Sequence, residues 1–460
     1  MTEKNEKLTA EQYQNARLSR DSRFDGRFFI AVKTTGIFCR PICPANAPKE
    51  HNVTYFDCAV EALHAGYRPC KRCRPDSAPT SWRWLGVETT FQRAISLIEQ
   101  GYLRQHSIPQ LSDKLGISDR YLRHLFNRYL GVSPKQFALY DQLMFAKNLV
   151  HNSNLPMTEV GFAAGFNSTR RFNDAFKKTL KLSPTELRNK DSVPNKLNRL
   201  SLAVRTPYNW KHLLDFYQLR AIDGLEVIDD FRYSRYCTIG QRHAWFRIDF
   251  SPLEKKRTSV MVEFELEKLS DLKSLVHTIR RMFDLDTDIH HVENRINAIE
   301  PTLIRHSGLR IPGVMNCWEA GVRAIIGQQV SVKAAIGQLN LLVATLSDKK
   351  NRVQFPTPEE LAVADLSFLR MPQARKDTLN RFAQHMKENS DSHPENWLLL
   401  KGIGPWTINY AKLRGLSEPN CFLDTDLIVK KALVQFPNLN QQTTSPWGSY
   451  ATFHCWSHMS

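Results

Sequence analysis

Four closely spaced cysteines constrain the fold of this 460-residue chain more than any other feature. Cys39 and Cys43 are separated by three residues in TTGIFCRPIC. Cys70 and Cys73 are separated by two residues in RPCKRC. Paired thiols at such short spacing are typical of a metal site, a disulfide framework or a reactive centre. The polar N-terminus lacks the apolar segment of a signal peptide and the total of nine cysteines is odd, which favours metal or reactive thiols over disulfides.

The spacing of these cysteines predicts one tetrahedral Zn²⁺ site. The pattern is C-x3-C, then 26 intervening residues, then C-x2-C, and four thiolates are a common zinc ligand set. A region as short as residues 1–80 would gain much of its stability from a bound metal. We therefore expect a small zinc-bound α/β domain there. Cys58, in the run DCAVEALHAG, is expected to be a packed thiol.

A duplicated pattern follows in the helical region 82–188. LGISDRYLRHLFNRYLGVSP and AGFNSTRRFNDAFKKTLKLSP share a turn glycine, a polar helix start, a basic amphipathic helix and a Ser-Pro end. This order predicts an all-α domain of two helix-turn-helix units, whose second helices enter the major groove of DNA. An ordinary helical pair with a solvated basic face is the alternative. The turn glycines are Gly116 and Gly165, the capping candidates are Ser118, Asn167 and Ser168, and the DNA-binding candidates are Arg120, Arg123, His124, Arg170, Arg171 and Asn173.

The charge of the chain indicates a polyanionic partner. The formal net charge is +17, and residues 82–190 hold 16 Lys and Arg against 8 Asp and Glu. Residues 191–460 are nearly balanced, with 34 against 29. A basic surface can also be merely solubilising, but its concentration on the duplicated helices favours double-stranded DNA. No run of 18 apolar residues offers a membrane span, so the expected location is the cytoplasm, in association with the nucleoid.

The N-terminal strings FFIAVKTTGIFCRPICPA and EALHAGYRPCKRC resemble the zinc domain of Ada-type methylphosphotriester repair proteins. The resemblance implies that Cys39 is both a zinc ligand and a single-turnover methyl acceptor. A metal keeps a thiolate deprotonated at neutral pH, and a thiolate is the nucleophile that methyl transfer needs. Methylation would remove one negative charge and so strengthen DNA binding. A purely structural zinc knuckle is the alternative.

Residues 85–188 closely resemble the paired helix-turn-helix domain of AraC-type transcription activators. Beside an Ada-like domain, this resemblance implies a switch in which the methylated protein reads a promoter and works with RNA polymerase. The chain lacks the Pro-Cys-His-Arg string of the catalytic methyltransferase domain in full Ada proteins. Direct repair of O6-alkylguanine is therefore not expected.

The C-terminal half contains LLLKGIGPWTINYAKLRG and, soon after it, FLDTDLIVKK. Gly402 and Gly404 predict a hairpin whose backbone N–H groups can face a DNA phosphate. Asp426 follows Gly404 by 22 residues at the start of a predicted helix. This combination resembles the helix-hairpin-helix DNA glycosylases, to which GLRIPGVMNCWEAGVRAIIGQQVSV is also similar.

The stretch LAVRTPYNWKHLLDFYQLRAIDGLE resembles the opening of the extra N-terminal domain of AlkA-type 3-methyladenine glycosylases. The resemblance covers roughly residues 198–457. It implies a monomer that needs no glycosylase cofactor beyond a structural monovalent cation at the hairpin. The expected fold is multidomain α+β: a zinc-bound α/β domain (1–80), an all-α double helix-turn-helix domain (82–188), a linker (189–198), a small α+β domain (199–306) and a mostly α helix-hairpin-helix glycosylase domain (307–460).

The residue types suit cleavage of an N-glycosidic bond. Positive charge builds on the sugar during cleavage, so a fixed carboxylate beside C1′ lowers the barrier. Asp426 matches the family's catalytic aspartate, and Asp424 is the near alternative, expected to cap a helix. The target base must leave the stack, and aromatic faces attract cationic alkylated purines. Trp406, Tyr410 and Trp447 match the family's pocket aromatics.

Two further positions refine this expectation. Bifunctional members of the superfamily carry a Schiff-base lysine where Trp406 stands, so the reaction should stop at an abasic site. Lys412 is close in sequence but off the motif. Gln329 lies where some AlkA-type members insert an apolar wedge into the DNA gap.

The sequence therefore predicts an alkylation sensor, a transcription activator domain and an alkylbase glycosylase in one chain. One alternative is a transcription regulator whose glycosylase-like half only binds DNA. The other is an enzyme whose N-terminal half only improves DNA affinity.

Overall fold

The computed structural model describes residues 8–21, 24–70, 72–73, 75, 89–104, 106–153, 155–188, 198–347, 353–390 and 392–458. The predicted linker lies outside the described residues except for Asn198, which begins a strand. The predicted start of the second domain at residue 82 also lies outside them. No described helix is long and apolar enough to cross a membrane.

The described residues form helices and strands in the mixed order expected of a multidomain α+β chain. The helices are α1 (Ala10–Leu18), α2 (Ala59–His64), α3 (Thr89–Glu99), α4 (Ile108–Leu115), α5 (Asp119–Leu130), α6 (Pro134–Asn152), α7 (Met157–Ala163), α8 (Thr169–Leu180), α9 (Pro184–Leu187), α10 (Trp210–Gln218), α11 (Ser251–Glu254), α12 (Leu272–Met282), α13 (Ile289–Ile299), α14 (Cys317–Gly327), α15 (Val332–Leu346), α16 (Pro358–Val363), α17 (Gln373–Glu388), α18 (Pro405–Ala411), α19 (Leu427–Gln435) and α20 (Gly448–His458). The strands are β1 (Phe29–Val32), β2 (Ile37–Cys39), β3 (Val53–Phe56), β4 (Arg68–Pro69), β5 (Asn198–Ala203), β6 (Glu226–Ile228), β7 (Arg232–Ile239), β8 (Arg242–Asp249) and β9 (Ser259–Leu266).

The chain divides into two compact units. The first runs to residue 206 and includes 261–277 and 286–288. The second comprises 207–260, 278–285 and 289–460.

The first unit begins with a four-stranded sheet of order β3-β1-β2-β4. Strand β1 pairs antiparallel with β2, where Ile30 lies opposite Cys39, and β2 pairs parallel with β4. Helix α2 packs on the sheet through Ala59 and Ala62, which contact Phe38 in a small apolar core. This register brings the end of β2 next to the end of β4, and with them Cys39 and Cys70. The predicted small α/β domain is confirmed.

Two helix-turn-helix units follow, also as predicted. Helix α4 ends at Gly116, which has a left-handed φ of 68°, and Ser118 caps α5. In the second helix-turn-helix unit Gly165 has a φ of 90°, and Ser168, rather than Asn167, caps α8. Each cap oxygen accepts the N–H of the third helical residue, which satisfies one of the donors left open at a helix start.

Helix α6 joins the two helix-turn-helix units and is 19 residues long. Ser133 and Gln136 form a capping box at its start, with Pro134 as the first helical residue. The guanidinium of Arg104 donates to the Ala163 carbonyl at 3.1 Å, beside the turn of the second helix-turn-helix unit. A Cβ at Gly165 would lie 2.5 Å from the Nε atom of Arg104 and would displace this side chain, and the φ of 90° itself favours glycine.

In the second unit, β6, β7 and β8 form an antiparallel meander. A buried ionic network joins this meander to α14. Arg235 contacts Glu319 at 3.1 Å, and Arg323 contacts Glu226 at 2.8 Å. Burial alone would raise the pKa of the Glu319 carboxyl, but the two guanidinium groups lower it to about 2. Both arginines of this network, Arg235 and Arg323, therefore have carboxylate partners.

The last helix, α20, is buried along most of its length and contains His454, which is 1 % exposed. Neither imidazole nitrogen of His454 has a hydrogen-bond partner among the described residues. Burial, with smaller contributions from three neighbouring histidines, lowers the pKa of the imidazole to about 3. A charged imidazole at this site would lack compensation, so the folded state requires neutral His454.

We expect the second unit to lose stability in mild acid because of His454. Its pKa is about 3 when folded and about 6.5 when unfolded, so the unfolded chain binds the proton more readily. The stabilisation is complete above about pH 6.5 and falls by up to about 1.4 kcal/mol per pH unit below it. Denaturant unfolding between pH 7 and 5 should show a smaller pH slope for His454→Leu than for the wild type. The exposed-residue control, His124→Gln, should keep the wild-type slope; an unchanged slope in His454→Leu would contradict the assignment.

Candidate functional site

The four N-terminal cysteines converge at one place. The sulfur atoms of Cys39, Cys43, Cys70 and Cys73 all lie within 4.8 Å of one another, and those of Cys43 and Cys70 are 4.0 Å apart. Zn–S bonds of about 2.3 Å place tetrahedral sulfurs about 3.8 Å apart, so the cluster fits one Zn²⁺. Hydrogen bonding with the Cys39 thiol lowers the pKa of Cys43 to about 7 and also lowers that of Cys70.

Cys39 is the cluster member that ends a strand, and it is partly exposed, as is Cys43, whereas Cys70 and Cys73 are buried. Beside it, the Arg40 backbone N–H donates to the Cys73 sulfur at 3.3 Å. The Arg40 guanidinium binds the Asp25 carboxylate and donates to the Cys73 carbonyl at 3.1 Å. These contacts fix the loop after Cys39, which remains a partly exposed residue.

Cys58 is separate from the cluster, as predicted. It is 5 % exposed and packs with Val60 and Phe91 in the apolar core. Its sulfur accepts the Glu61 N–H at the start of α2. Burial raises the pKa of the Cys58 thiol, so this cysteine is kept in its unreactive form.

The six predicted DNA-binding side chains are all exposed on the second helices of the two helix-turn-helix units. The opposite faces of these helices are buried, through Leu122 and Phe126 in α5 and through Phe172 and Phe176 in α8. The structure therefore places the following residues on two solvent-facing basic surfaces: Arg120, Arg123 and His124 on α5, and Arg170, Arg171 and Asn173 on α8.

The predicted hairpin is present between a 3-10 helix (Pro394–Leu399) and α18. Gly402 has a φ of 98°, and a Cβ there would lie 2.1 Å from the Thr378 hydroxyl oxygen. Gly404 has a φ of −116° and precedes Pro405, the first residue of α18. No atom would lie within 4 Å of a Cβ at Gly404. Only Gly402 is therefore required by the fold of the turn.

We expect Gly402→Ala to destabilise the hairpin by at least about 2 kcal/mol, since a left-handed alanine costs about 1–2 kcal/mol and the contact with Thr378 adds to it. Affinity for duplex DNA should fall with it. Gly404→Ala, whose backbone is extended and whose surroundings are open, is the matched control and should unfold like the wild type. Chemical denaturation and fluorescence anisotropy measure the two effects. Equal behaviour of the two variants would refute the role of Gly402.

Asp426 lies at the centre of a group of N–H donors. Its Oδ1 accepts the backbone N–H groups of Ile428 at 2.9 Å and Val429 at 3.3 Å, as the N-cap of α19. The indole N–H of Trp456 donates to the same oxygen at 3.1 Å. The indole N–H of Trp406 donates to Oδ2 at 3.2 Å. Four donors thus hold the carboxylate in one orientation.

The prediction that Asp424 caps a helix is wrong. Helix α19 begins at Leu427, so the side chain that can reach its first free N–H groups is that of residue 426. Asp424 is exposed in the preceding turn.

The rings of Trp406 and Tyr410 stack at a centroid distance of 5.2 Å and an interplanar angle of 27°. They lie one helical turn apart on α18, which places both on the face that meets Asp426. The Tyr410 hydroxyl accepts a hydrogen bond from Arg414 at 2.9 Å. The two aromatics predicted beside the hairpin thus lie together with the predicted carboxylate.

The structure places Trp447 elsewhere. It is 2 % exposed, and its ring contacts among the described residues are with His291 and Tyr450. Trp456, which the sequence reasoning missed, is the second tryptophan, after Trp406, that donates to Asp426. The sequence signal for it was weak: Trp456 lies 30 residues after Asp426, and only the fold of α20 brings it back.

Gln329 is exposed in the turn between α14 and α15 and has a left-handed φ of 54°. The preceding residue, Gln328, anchors this turn to the hairpin. Its side-chain amide donates to the Gly402 carbonyl at 3.1 Å and to the Thr407 hydroxyl at 3.0 Å. The position predicted for a wedge is therefore a solvent-facing turn fixed to the hairpin.

Three family models match the chain. The metal binding domain of Ada matches residues 12–76, a helix-turn-helix domain matches 111–190, and the AlkA N-terminal domain matches 199–316. The match to the first family and the four-thiol cluster together confirm the predicted site for one Zn²⁺.

Three relatives span different parts of the chain. A probable bifunctional transcriptional activator/DNA repair enzyme AlkA from Mycobacterium tuberculosis is 32% identical, over 95% of this chain and 94% of its own length. DNA-3-methyladenine glycosylase 2 from Escherichia coli is 30% identical, over 56% of this chain and 96% of its own length. The bifunctional transcriptional activator/DNA repair enzyme Ada from Escherichia coli is 41% identical over 28% of this chain and 35% of its own length.

Proposed function

The chain belongs to the family of bifunctional transcriptional activator/DNA repair enzymes of the AlkA type, and from this premise we propose that it excises alkylated purines from DNA and reports DNA methylation through Cys39. The carboxylate of Asp426, fixed by four N–H donors beside stacked aromatics, is the observation that carries the enzymatic part. The substrate class is cationic alkylpurines such as 3-methyladenine.

Asp426 supplies the electrostatic part of the excision. As the bond from C1′ to the base nitrogen breaks, its electron pair leaves with the base and positive charge develops on the sugar. A carboxylate already oriented toward this charge stabilises it without reorganisation. Water then adds to C1′. Trp406, Tyr410 and Trp456 receive the flipped base between aromatic faces, and Gln329 fills the gap in the duplex.

The reaction stops at base release because no amine is available in the position of Trp406. The nearby Lys412 contacts Glu395 at 2.8 Å and Glu418 at 3.3 Å. Burial lowers the pKa of the Lys412 ammonium, but the hydrogen bond to Glu395 and the charge of Glu418 raise it overall. A protonated lysine cannot form a Schiff base.

Multiple-turnover release of 3-methyladenine from methylated duplex DNA tests the enzymatic proposal. We expect many bases released per protein molecule and a strand that stays intact until alkali cleaves the abasic site. Absence of release would favour the alternative of a regulator whose C-terminal half only binds DNA. Strand cleavage without alkali would contradict the monofunctional reaction.

The sensor part rests on the four-thiol cluster and its position after β2. A bound Zn²⁺ would keep the four thiols as thiolates. The Cys39 sulfur attacks the methyl carbon of a methylphosphotriester, the carbon–oxygen bond breaks, and the phosphodiester leaves with the electron pair. The thioether that forms is stable, so each molecule reacts once. Loss of one negative charge at Cys39 then strengthens attraction to DNA phosphates.

Promoter footprinting with methylated and unmethylated protein tests the switch. We expect protection by the methylated form at lower protein concentration, through the exposed arginines of α5 and α8. Equal footprints would favour an enzyme whose N-terminal half only improves DNA affinity.

We further propose that the protein acts as a monomer, works with RNA polymerase and is located at the nucleoid. The proposed domains are 1–80, 82–188, 199–306 and 307–460.

A further inference from the structure

Two guanidinium groups lie behind the aromatic residues near Asp426. The Cζ atom of Arg220 is 3.7 Å from the centroid of the Phe216 ring. The Cζ atom of Arg414 is 5.0 Å from the same centroid and 5.7 Å from that of Tyr410. Arg414 is fully buried and Arg220 is partly buried. Two positive charges therefore share one aromatic ring.

Neither guanidinium has a carboxylate partner among the described residues. Arg220 donates to the Phe216 carbonyl, and Arg414 donates to the Tyr410 hydroxyl and the Pro312 carbonyl. This differs from Arg235 and Arg323, whose charges are matched by buried glutamates. Burial lowers the pKa of Arg220 to about 10, which leaves it charged at neutral pH. Uncompensated buried charge is costly, so these arginines are candidates for a role beyond stability.

A short chain of contacts links these charges to the carboxylate. The Phe216 ring lies parallel to the ring of Trp456, at a centroid distance of 6.3 Å and an angle of 14°. The Trp456 indole in turn donates to Asp426. On the other side, Arg414 holds Tyr410, which stacks on Trp406. The positive charges thus lie behind the aromatic layer of the proposed base pocket.

The charge of the leaving base determines how the two guanidinium groups can affect its departure. A cationic alkylpurine leaves as a neutral molecule, so a nearby positive charge does not assist its departure. A neutral damaged purine leaves with the electron pair of the broken bond and is briefly an anion. Fixed positive charge in a low-dielectric site stabilises that anion. A ring already occupied by one cation also attracts a second cation less strongly.

We propose that Arg220 and Arg414 determine specificity by stabilising purines that leave as anions, as a neutral damaged purine such as hypoxanthine does. This inference rests on the proposed glycosylase function. The bond from C1′ to N9 breaks and its pair goes to N9. Water adds to C1′, and the proton that the water loses ends on the purine, so that charge and atoms balance.

Single-turnover release of 3-methyladenine and of hypoxanthine, from duplexes of matched sequence, tests the proposal. We expect Arg220→Met to slow hypoxanthine release at least about 10-fold more than 3-methyladenine release. Arg220→Lys and Arg414→Lys, which keep the charge, should retain most of the wild-type ratio. Lys211→Met removes an exposed charge from nearby α10 and should leave the ratio unchanged.

The outcomes separate this inference from the function on which it rests. If the wild type releases neither base, the glycosylase proposal fails. If the wild type releases both and Arg220→Met slows both equally, or if the wild type releases only 3-methyladenine, the glycosylase stands and the specificity role is overturned. Thermal unfolding of each variant shows whether it is folded. Because the readout is the ratio of the two release rates, a general loss of folded protein would leave that ratio unchanged.

Discussion

Replacing Asp426 with asparagine should slow base release by about 10³-fold or more while preserving the fold. Asparagine is as good an N-cap as aspartate, so it can still accept the N–H groups of Ile428 and Val429 that now bind Oδ1. It carries no charge, and the positive charge that develops on the sugar would lose its counter-charge. Loss of one preorganised electrostatic group costs about 10²–10³ in rate, and we expect at least the upper end here because a full charge is removed.

Asp424→Asn is the matched control for this prediction. It makes the same chemical change two residues away, at an exposed turn position, and should release 3-methyladenine at the wild-type rate. Single-turnover rates and melting temperatures of both variants are the measurements. Equal release by Asp426→Asn and wild type would remove Asp426 from the reaction.

Replacing Cys39 with alanine should eliminate methyl acceptance from methylphosphotriester DNA. The thioether can form only on the attacking sulfur, so the expected loss is complete rather than partial. Base release should persist, because it depends on residues of the second unit. Intact mass spectrometry after incubation with labelled DNA would show one added methyl group in wild type and none in the variant, and peptide mapping would place the label on Cys39.

Two controls keep this test interpretable. Cys58→Ser changes a buried thiol outside the cluster and keeps a side chain that can cap α2, so it should accept the methyl group normally. Zinc content and thermal unfolding of Cys39→Ala report whether the three remaining thiols hold the metal. A label on Cys43, Cys70 or Cys73 of the zinc-bound wild type would refute the assignment of Cys39.

Most of the structural features that the sequence predicted correctly depend on short local patterns. The cysteine quartet, the two turn glycines and the serine caps each depend on residues a few positions apart, and the fold places them as expected. Trp406 and Tyr410 belong to the same class, since one helical turn separates them. Such features follow from backbone geometry and need no knowledge of the tertiary structure.

Features that depend on long-range packing were harder to predict. Trp447 and Trp456 lie in the same C-terminal stretch, and only the path of α20 decides which indole reaches Asp426. The error at Asp424 has a different cause, because helix ends are uncertain by one or two residues from sequence alone. Arg220 and Arg414 lack a carboxylate partner in the part of the chain that the structure describes, and this has no sequence signature, since a missing partner is visible only in the folded structure.

Helix α6 has a consequence for how a promoter must be built. At 1.5 Å per residue its 19 residues span about 28 Å, close to the roughly 34 Å of one turn of DNA. Arg104 fastens the turn of the second helix-turn-helix unit to the segment that follows α3, so the protein has little freedom to adjust that interval. We therefore expect the second helices of the two units, α5 and α8, to contact DNA segments at a fixed spacing. One base pair inserted between the two contacted segments would rotate the second segment about the DNA axis. The protein could then bind both segments only if the DNA were twisted, which would lower its affinity for that promoter.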